Sequence, residues 1–190
     1  MPVSVIPFRM PEPVELPAYF VDDVRRRPAA EAIARGMELL LEFDVAETLV
    51  CEWVDDAGRL TLGGVVSRDP ARALELRGLL EREAYYGQPL TEAPYSLAGQ
   101  AYAQASTLLL MGQVGAGEAG PVPAALVQFL LEGKPAGGVG FLYVLGLTGH
   151  DGRPLGALSL LRPAAAGPLN HEQPRIAEAF RRLLSSVLER

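Results

Sequence analysis

The sequence predicts an α+β fold: a central antiparallel sheet of five or six strands, with the first and last helices on one face and shorter helices and loops on the other. Two pairs of strand-like segments, each joined by a short turn that contains Asp and Gly, predict the antiparallel sheet. Amphipathic patterns at residues 28–44 and after residue 173 predict two long helices. The length of 190 residues suits one domain with an additional arm.

The central element of the sheet is a hairpin predicted at residues 138–163. Two apolar runs rich in β-forming residues flank a turn at residues 150–153, and an Asp-Gly pair between such runs is a strong hairpin signal. A second hairpin is predicted where the runs at residues 45–54 and 60–66 flank another turn that contains Asp and Gly. Both signals favour antiparallel neighbours.

The helices are predicted from the spacing of apolar residues and from capping signals. Apolar residues recur at helical spacing on one face of the first helix (Ile33, Met37, Leu40 and Leu41) and of the last one (Ile176, Phe180, Leu183, Leu184, Val187 and Leu188). Asp69 is a candidate cap for a helix at residues 71–86, and Ser96 is one for a short helix that precedes a strand at residues 107–114. A further short helix is predicted at residues 124–131.

Residues 1–27 are predicted to form a proline-rich arm ahead of a domain that spans residues 28–190. Prolines at positions 2, 7, 11, 13 and 17 remove backbone donors and break helices, so residues 1–20 are expected to be extended. Residues 22–27 are expected to form a polar connector that is at most briefly helical.

Composition and charge narrow the class of protein. A hydrophobic content of 49% excludes a disordered chain, and the net charge of −6 argues against nucleic-acid binding, which needs a basic surface. No apolar run reaches the length of a membrane span, and the N-terminus lacks the pattern of a secretion signal. The single cysteine fits a reducing compartment. We therefore expect a cytoplasmic protein that binds neither nucleic acid nor membrane.

Two sequence patterns point to a known family. Residues 151–161 read DGRPLGALSLL and lead through a capping segment at residues 167–173 into the last helix, and Ser96 begins the sequence SLAGQA. This order of elements over residues 28–190 resembles a GAF domain, the small sensory fold of many bacterial and eukaryotic signalling proteins. The resemblance implies a non-catalytic sensory or regulatory module whose terminal helices pair in a homodimer.

Several motifs could carry chemistry, but each has a simpler structural interpretation. Asp55 and Asp56 could be paired catalytic carboxylates, but aspartates before a turn glycine usually bond the local backbone. Residues 115–120 match the dinucleotide pattern G-x-G-x-x-G, but the prolines that follow displace the required helix, and no acidic residue follows at the expected distance. His150 and His171 have no neighbours at metal-ligand spacing, so no metal site is predicted.

Cys51 is predicted to be a small buried hydrophobe in the first strand of the second hairpin. Some GAF-type proteins reduce free methionine sulfoxide, and others attach a bilin. The reductases use a second cysteine to resolve the oxidised intermediate, and the bilin-binding proteins use one later in the domain; this chain has neither. Both activities are therefore disfavoured.

A set of aromatic and polar residues is the remaining candidate for a ligand site. The GAF-like arrangement implies that they lie near one sheet face, where rings with polar tips suit a small-molecule pocket. The alternative is that they fill the core beneath the helices. The residues are Trp53, Tyr86, Tyr95, Tyr102, Gln113 and Tyr143.

Three hypotheses for function follow. The first is a non-catalytic GAF-like sensory module that binds a small molecule and forms a homodimer. The second is a degenerate GAF-like scaffold that acts only through dimerisation or a protein partner. The third is an enzyme of the methionine sulfoxide reductase type. The sequence identifies no cofactor and no particular ligand.

Overall fold

A computed structural model of the chain describes residues 4–104, 107–113, 126, 129 and 139–190. Side chains are described for these residues except 4–7, 104, 107–113, 139 and 164. The predicted loop at residues 115–120 lies outside the described residues, as does all but two residues of the predicted helix at residues 124–131.

The described strands form one six-stranded antiparallel sheet in the order β1-β4-β5-β6-β2-β3. This confirms the α+β class and the antiparallel sheet, and the predicted central hairpin is β5–β6. Residues 150–153 lie in its turn, where Asp151 accepts the backbone N–H of Arg153 at 2.9 Å. The strands are β1 (Ser4–Phe8), β2 (Thr48–Val54), β3 (Leu60–Ser67), β4 (Thr107–Gln113), β5 (Val139–Thr148) and β6 (Pro154–Arg162).

Helices cover both faces of the sheet. Because successive strand residues point to opposite faces, Tyr143 packs with α1, α2 and α5, whereas the next residue, Val144, packs with α3 and α4. None of the described helices is long and apolar enough to cross a membrane. The helices are α1 (Ala18–Arg25), α2 (Ala29–Leu41), α3 (Pro70–Leu80), α4 (Leu97–Gln104) and α5 (Gln173–Leu188).

Local capping bonds form where the sequence predicts them. Asp69 accepts the backbone N–H of Ala71 at 3.0 Å at the start of α3, and Ser96 accepts that of Gly99 at 2.9 Å at the start of α4. The carboxylate of Asp55 accepts two backbone N–H groups within its own turn, at residues 57 and 59, both at 2.9 Å. This confirms the turn interpretation of Asp55.

Part of the predicted arm belongs to the sheet and the core. Strand β1 pairs with β4, and Phe20 and Val24 of α1 are buried against α2 and α5. Pro7 is compatible with a strand here because β1 is an edge strand, where a missing donor can face away from the ladder. The expectation that residues 1–20 are simply extended is therefore wrong for the start of α1.

A buried arginine closes one end of the sheet. Arg162, at the end of β6, donates to the carbonyl oxygens of Asp44 and Val45 at 2.8 Å each. It also donates to those of Ala166 and Gly167, at 3.1 and 2.9 Å. These bonds tie the chain that follows α2 to the loop that precedes α5.

Candidate functional site

The side chain of Glu52 is a fully buried carboxyl group on the sheet face that α3 and α4 cover. It accepts the Tyr86 hydroxyl at 2.8 Å through Oε1 and the backbone N–H of Ala98 at 2.9 Å through Oε2. The pairing of β2 with β3 shifts register between Cys51 and Glu52, where Gly63 of β3 is the extra residue of a β-bulge beside Glu52. Such bulges re-aim side chains and are common beside functional sites.

The backbone around Glu52 requires a glycine on the neighbouring strand. Gly156 of β6 has φ +154°, and a Cβ atom there would lie 2.1 Å from the carbonyl oxygen of Glu52. Any other residue would force β6 and β2 apart. The close approach therefore fixes the position of Glu52 relative to the β5–β6 hairpin.

Burial controls the protonation of Glu52. Burial raises the pKa of its carboxyl group to about 7, although the N–H of Ala98, the Tyr86 hydroxyl and the N–H of Leu97 all favour the ionised form. The carboxyl group therefore titrates near neutral pH, whereas an exposed glutamate titrates at a lower pH.

Two adjacent tyrosines lie against Glu52. The rings of Tyr85 and Tyr86 meet edge to face with centroids 4.8 Å apart. Burial, and secondly the charge of Glu52, raises the pKa of both hydroxyl groups, so both remain protonated at neutral pH. The Tyr85 oxygen is buried and has no hydrogen-bond partner of good geometry within the described part of the chain.

A cavity of about 550 Å³ lies at the end of β5, beside α4 and α5. Among the described residues, β4 pairs with β5 from Leu108 opposite Val144 to Gln113 opposite Val139, and the cavity lies beside the later residues of β5. The cavity lining comes from the segment after β1 and from α4, the β5–β6 hairpin and α5. The lining residues are Phe8, Met10, Ala98, Ala101, Tyr102, Gly146, Leu147, Thr148, Gly152, Pro154, Gly156, Glu178 and Arg181.

One wall of this cavity is charged. Glu178 of α5 is only 2% exposed and accepts Arg181 at 2.6 and 2.7 Å and Arg182 at 2.7 Å. Burial opposes ionisation of Glu178, but its hydrogen bonds with the two arginines hold the pKa below its usual value. Arg181 also donates to the carbonyl oxygen of Gly146 at 3.1 Å. The carboxylate and both guanidinium groups are therefore charged at neutral pH.

Glu52 and the cavity share a wall. Ala98, whose N–H donates to the Glu52 carboxylate, lines the cavity, and so does Gly156, which lies against the Glu52 carbonyl group. A change in the charge of Glu52 therefore changes the electrostatic potential at residues that form part of the cavity surface.

The six residues predicted to form a ligand site do not converge. Tyr86 bonds Glu52 on the α4 side of the sheet, Tyr102 lines the cavity, and Tyr95 is exposed on the surface. The side chain of Gln113 lies outside the described residues, and no ligand tests any of these positions.

The expectation of a single shared face is wrong for two of the six. Trp53 and Tyr143 pack into the core beneath α2 and α5, on the face opposite Tyr86. The Tyr143 hydroxyl accepts the backbone N–H of Leu169 at 2.8 Å, which anchors the segment before α5. The alternation of strand residues places Trp53 with Cys51, and the terminal helices cover that face.

Cys51 takes the buried position that the sequence predicts. Cys51 is fully buried, and burial, followed by the charge of Glu52, raises the pKa of its thiol well above the usual range. His150 is an exposed turn residue whose Nδ1 lies 2.7 Å from a carboxylate oxygen of Glu189. Within residues 4–104, 107–113 and 139–190, no three His, Cys, Asp or Glu side chains are grouped to hold a metal ion.

Glu52, Glu178 and Arg181 were not predicted as site residues. A signal for Glu52 exists in the sequence, since it is the one charged residue in the apolar strand TLVCEWV. A charged residue at helical spacing in α5 gives no such signal, because most charges on an amphipathic helix face water.

Comparison with known proteins supports the fold. No protein-family model matches the chain, and no curated protein matches its sequence. The chain is similar in structure to a GAF domain/HD domain protein from Geobacter sulfurreducens, with a TM-score of 0.57 and 12% sequence identity. The match covers 88% of this chain and 93% of that chain. At this identity the likeness shows a GAF-like fold and nothing about activity.

Proposed function

We propose that this protein is a non-catalytic, GAF-like sensory or regulatory module that binds a small molecule in the cavity between α4 and the β5–β6 hairpin. The cavity is the observation that carries the proposal. Its volume of about 550 Å³ falls within the range of small-molecule sites, roughly 300–1,000 Å³. Apolar side chains supply most of its wall, and a small number of charged groups lie at one end, as in many ligand sites.

The states of the titratable groups support a role without catalysis. A nucleophilic cysteine is accessible and has a lowered pKa, whereas Cys51 is buried and its pKa is raised. Tyr85 and Tyr86 also retain their protons at neutral pH, because their pKa values are raised. Buried side chains that keep their protons are better suited to packing around a ligand site than to reacting with a substrate.

A blocking substitution at the cavity tests the proposal. Thr148 is exposed at the cavity surface, so Thr148→Trp places a large ring there at little cost to the core. Thr91→Trp makes the same change at an exposed site elsewhere. We expect compounds that raise the melting temperature of the unmodified chain and of T91W to have little effect on T148W. If stabilising compounds act equally on all three proteins, the ligand site lies elsewhere.

Dimerisation through the terminal helices is the second part of the proposal. Tyr19 of α1 is 67% exposed on the helical layer formed with α2 and α5, an unusual exposure for an aromatic ring. Leu74 of α3 is 74% exposed on the opposite layer and serves as a control. We expect light scattering to show a dimer that Tyr19→Glu dissociates and Leu74→Glu does not. A monomer at high concentration would contradict the dimer.

The scaffold hypothesis makes a different prediction. A protein that acts only through dimerisation or a protein partner has no need of an open cavity, and filling the cavity would then leave its function intact. A screen in which no compound stabilises the unmodified chain, together with a dimer that T148W does not disturb, would favour the scaffold over the ligand-binding module.

A further inference from the structure

We infer that the cavity at the end of β5 takes an organic carboxylate with a flat apolar body, and that the guanidinium group of Arg181 binds the carboxylate. This inference rests on the proposed function, since it names the chemical class of the ligand for the same cavity. It depends on the hydrogen bonds of Glu178, the remaining donors of Arg181 and the apolar residues of the cavity lining.

Two charged side chains of α5, Glu178 and Arg181, line the cavity. One carboxylate, Glu178, is shared between two guanidinium groups, Arg181 and Arg182. Its oxygens accept three hydrogen bonds from them, so it offers little to a cationic ligand. Arg181 is therefore the charged group of the lining that can bind an added ion, and its positive charge favours an anion.

Arg181 lines the cavity and has N–H donors in addition to those that bind Glu178. A guanidinium group carries five N–H bonds, and the bonds to Glu178 and to the Gly146 carbonyl occupy Nε and one N–H on each terminal nitrogen. Two N–H groups remain beyond these contacts with the described residues, one on each terminal nitrogen. N–H groups on both terminal nitrogens of a guanidinium group can bind a carboxylate through both of its oxygens.

Arg181 is also held in place before any ligand arrives. Glu178 holds it from α5, and the Gly146 carbonyl group holds it from β5. The side chain is 21% exposed, so it is neither free in solvent nor sealed in the core. A guanidinium group that is already ordered loses little rotamer entropy on binding an anion.

The remaining walls suit a flat apolar group. Ala98 and Ala101 present a shallow face of α4. The space between β5 and α4 is narrow at Gly146, since a Cβ atom added there would lie 3.7 Å from the Cβ atom of Ala101, an ordinary contact distance. Tyr102 and Phe8 provide aromatic faces at the two sides. Aromatic and small apolar walls with one bidentate cation are the features that bind an aromatic acid.

Calorimetric titration of the full chain at pH 8 tests this inference with 2-naphthoate and its neutral isostere 2-naphthamide. We expect 2-naphthoate to bind at least about tenfold more tightly than 2-naphthamide, since a charge-assisted bidentate contact contributes about that factor. This comparison uses the unmodified protein, so it does not depend on the folding of a variant.

Two arginine variants locate the contact. Arg181→Gln should weaken 2-naphthoate binding about tenfold or more and leave 2-naphthamide nearly unchanged. Arg182→Gln removes the same charge from the same carboxylate but lies outside the cavity lining, with its side chain 55% exposed. We expect it to change the affinity for 2-naphthoate less than about threefold, and thermal unfolding checks that both variants are folded.

Three outcomes would overturn the inference: equal affinity for the two compounds, an equal loss in R181Q and R182Q, or no binding of either compound. If one of the first two outcomes is found but T148W still abolishes binding, the proposed ligand site is retained, because the cavity then binds ligands of another class. In the third, the thermal-shift comparison of T148W and T91W decides separately whether the cavity binds any small molecule.

Discussion

The carboxylate of Glu52 on β2 accepts the backbone N–H of Ala98 on α4 at 2.9 Å, in a fully buried position. A strand and a helix that are 46 residues apart in the chain are joined by a group that can gain or lose a proton near neutral pH. Because Ala98 also lines the cavity, this bond connects the stability of the fold with the candidate site.

The stability of the protein is expected to fall as the pH rises towards 7. The pKa of Glu52 is raised from its ordinary 4.5 to about 7 in the folded protein, so the folded state binds more protons than the unfolded state between these values. The protonated carboxyl group makes its whole contribution to the free energy of unfolding below pH 4.5. This contribution, about 3 kcal/mol, is lost as the pH rises through 7. Urea unfolding at intervals from pH 5 to 8 measures this loss.

Glu52→Gln provides the matched variant for that measurement. A neutral amide resembles the protonated acid, so E52Q should show a flatter stability profile from pH 5 to 8. Glu75→Gln, at an exposed position of α3, should keep the slope of the unmodified protein. An unchanged slope in E52Q would show that Glu52 does not titrate in this range. The pKa values of Asp23 and Glu178 are lowered, so these two carboxylates are protonated, and their contribution to stability is lost, only at a pH below this range.

Tyr86→Phe should raise the pKa of Glu52 further. The Tyr86 hydroxyl donates to Glu52 at 2.8 Å and favours the ionised carboxylate, so its removal favours the proton. Y86F should lose about 1–2 kcal/mol of stability at pH 8 and less at pH 5, where the acid is neutral. Carbon-13 NMR titration of the Glu52 carboxyl group reads the pKa directly. Tyr95→Phe, at an exposed ring, should leave it unchanged, and a lowered pKa in Y86F would contradict the assigned hydrogen bond.

Substitution of Gly156 should be far more damaging than substitution of another glycine with positive φ. At Gly156 an added Cβ would lie 2.1 Å from the Glu52 carbonyl oxygen, whereas at Gly58, which has φ +77°, it would meet nothing within 4 Å. Gly58→Ala should cost about 1 kcal/mol from backbone strain alone. Gly156→Ala should cost about 3 kcal/mol or more in urea unfolding, because the two strands must also separate. Equal costs would contradict the close approach.

Arg162→Met should destabilise the protein by about 3 kcal/mol. Its guanidinium group binds four backbone carbonyl oxygens at one end of the sheet, and these would lose their buried donors. Arg59→Met removes an exposed arginine paired with Asp55 and should cost less than about 1 kcal/mol. Thermal or urea unfolding of the two variants compares these costs, and similar values for both would show that Arg162 does not hold this end together.

Local signals in the sequence predicted much of the fold. Asp69 and Ser96 cap helices where short-range patterns placed them, and the Asp-Gly turns joined the predicted strands. Strand β1 was not predicted, because Pro7 argues against a strand unless the strand lies at the edge of a sheet. Whether a strand lies at an edge depends on the arrangement of the whole sheet.

The candidate site was harder to predict than the fold. Alternation along β2 shows that Cys51 and Trp53 share a face, but it does not show which helices will cover that face. The position of Arg181 depends on its hydrogen bond with the Gly146 carbonyl group, which joins a helix and a strand that are 35 residues apart in the chain. Such a relationship has no local pattern in the chain.

The most direct test of the ligand-binding proposal is an amide NMR titration of the isotope-labelled full chain with 2-naphthoate. A ligand in the cavity should shift the backbone signals of Gly146, Thr148 and Tyr102 first and most strongly, and T148W should abolish these shifts. Saturable shifts confined to surfaces away from α4 and the β5–β6 hairpin would contradict the proposal, since the cavity would then not be the site.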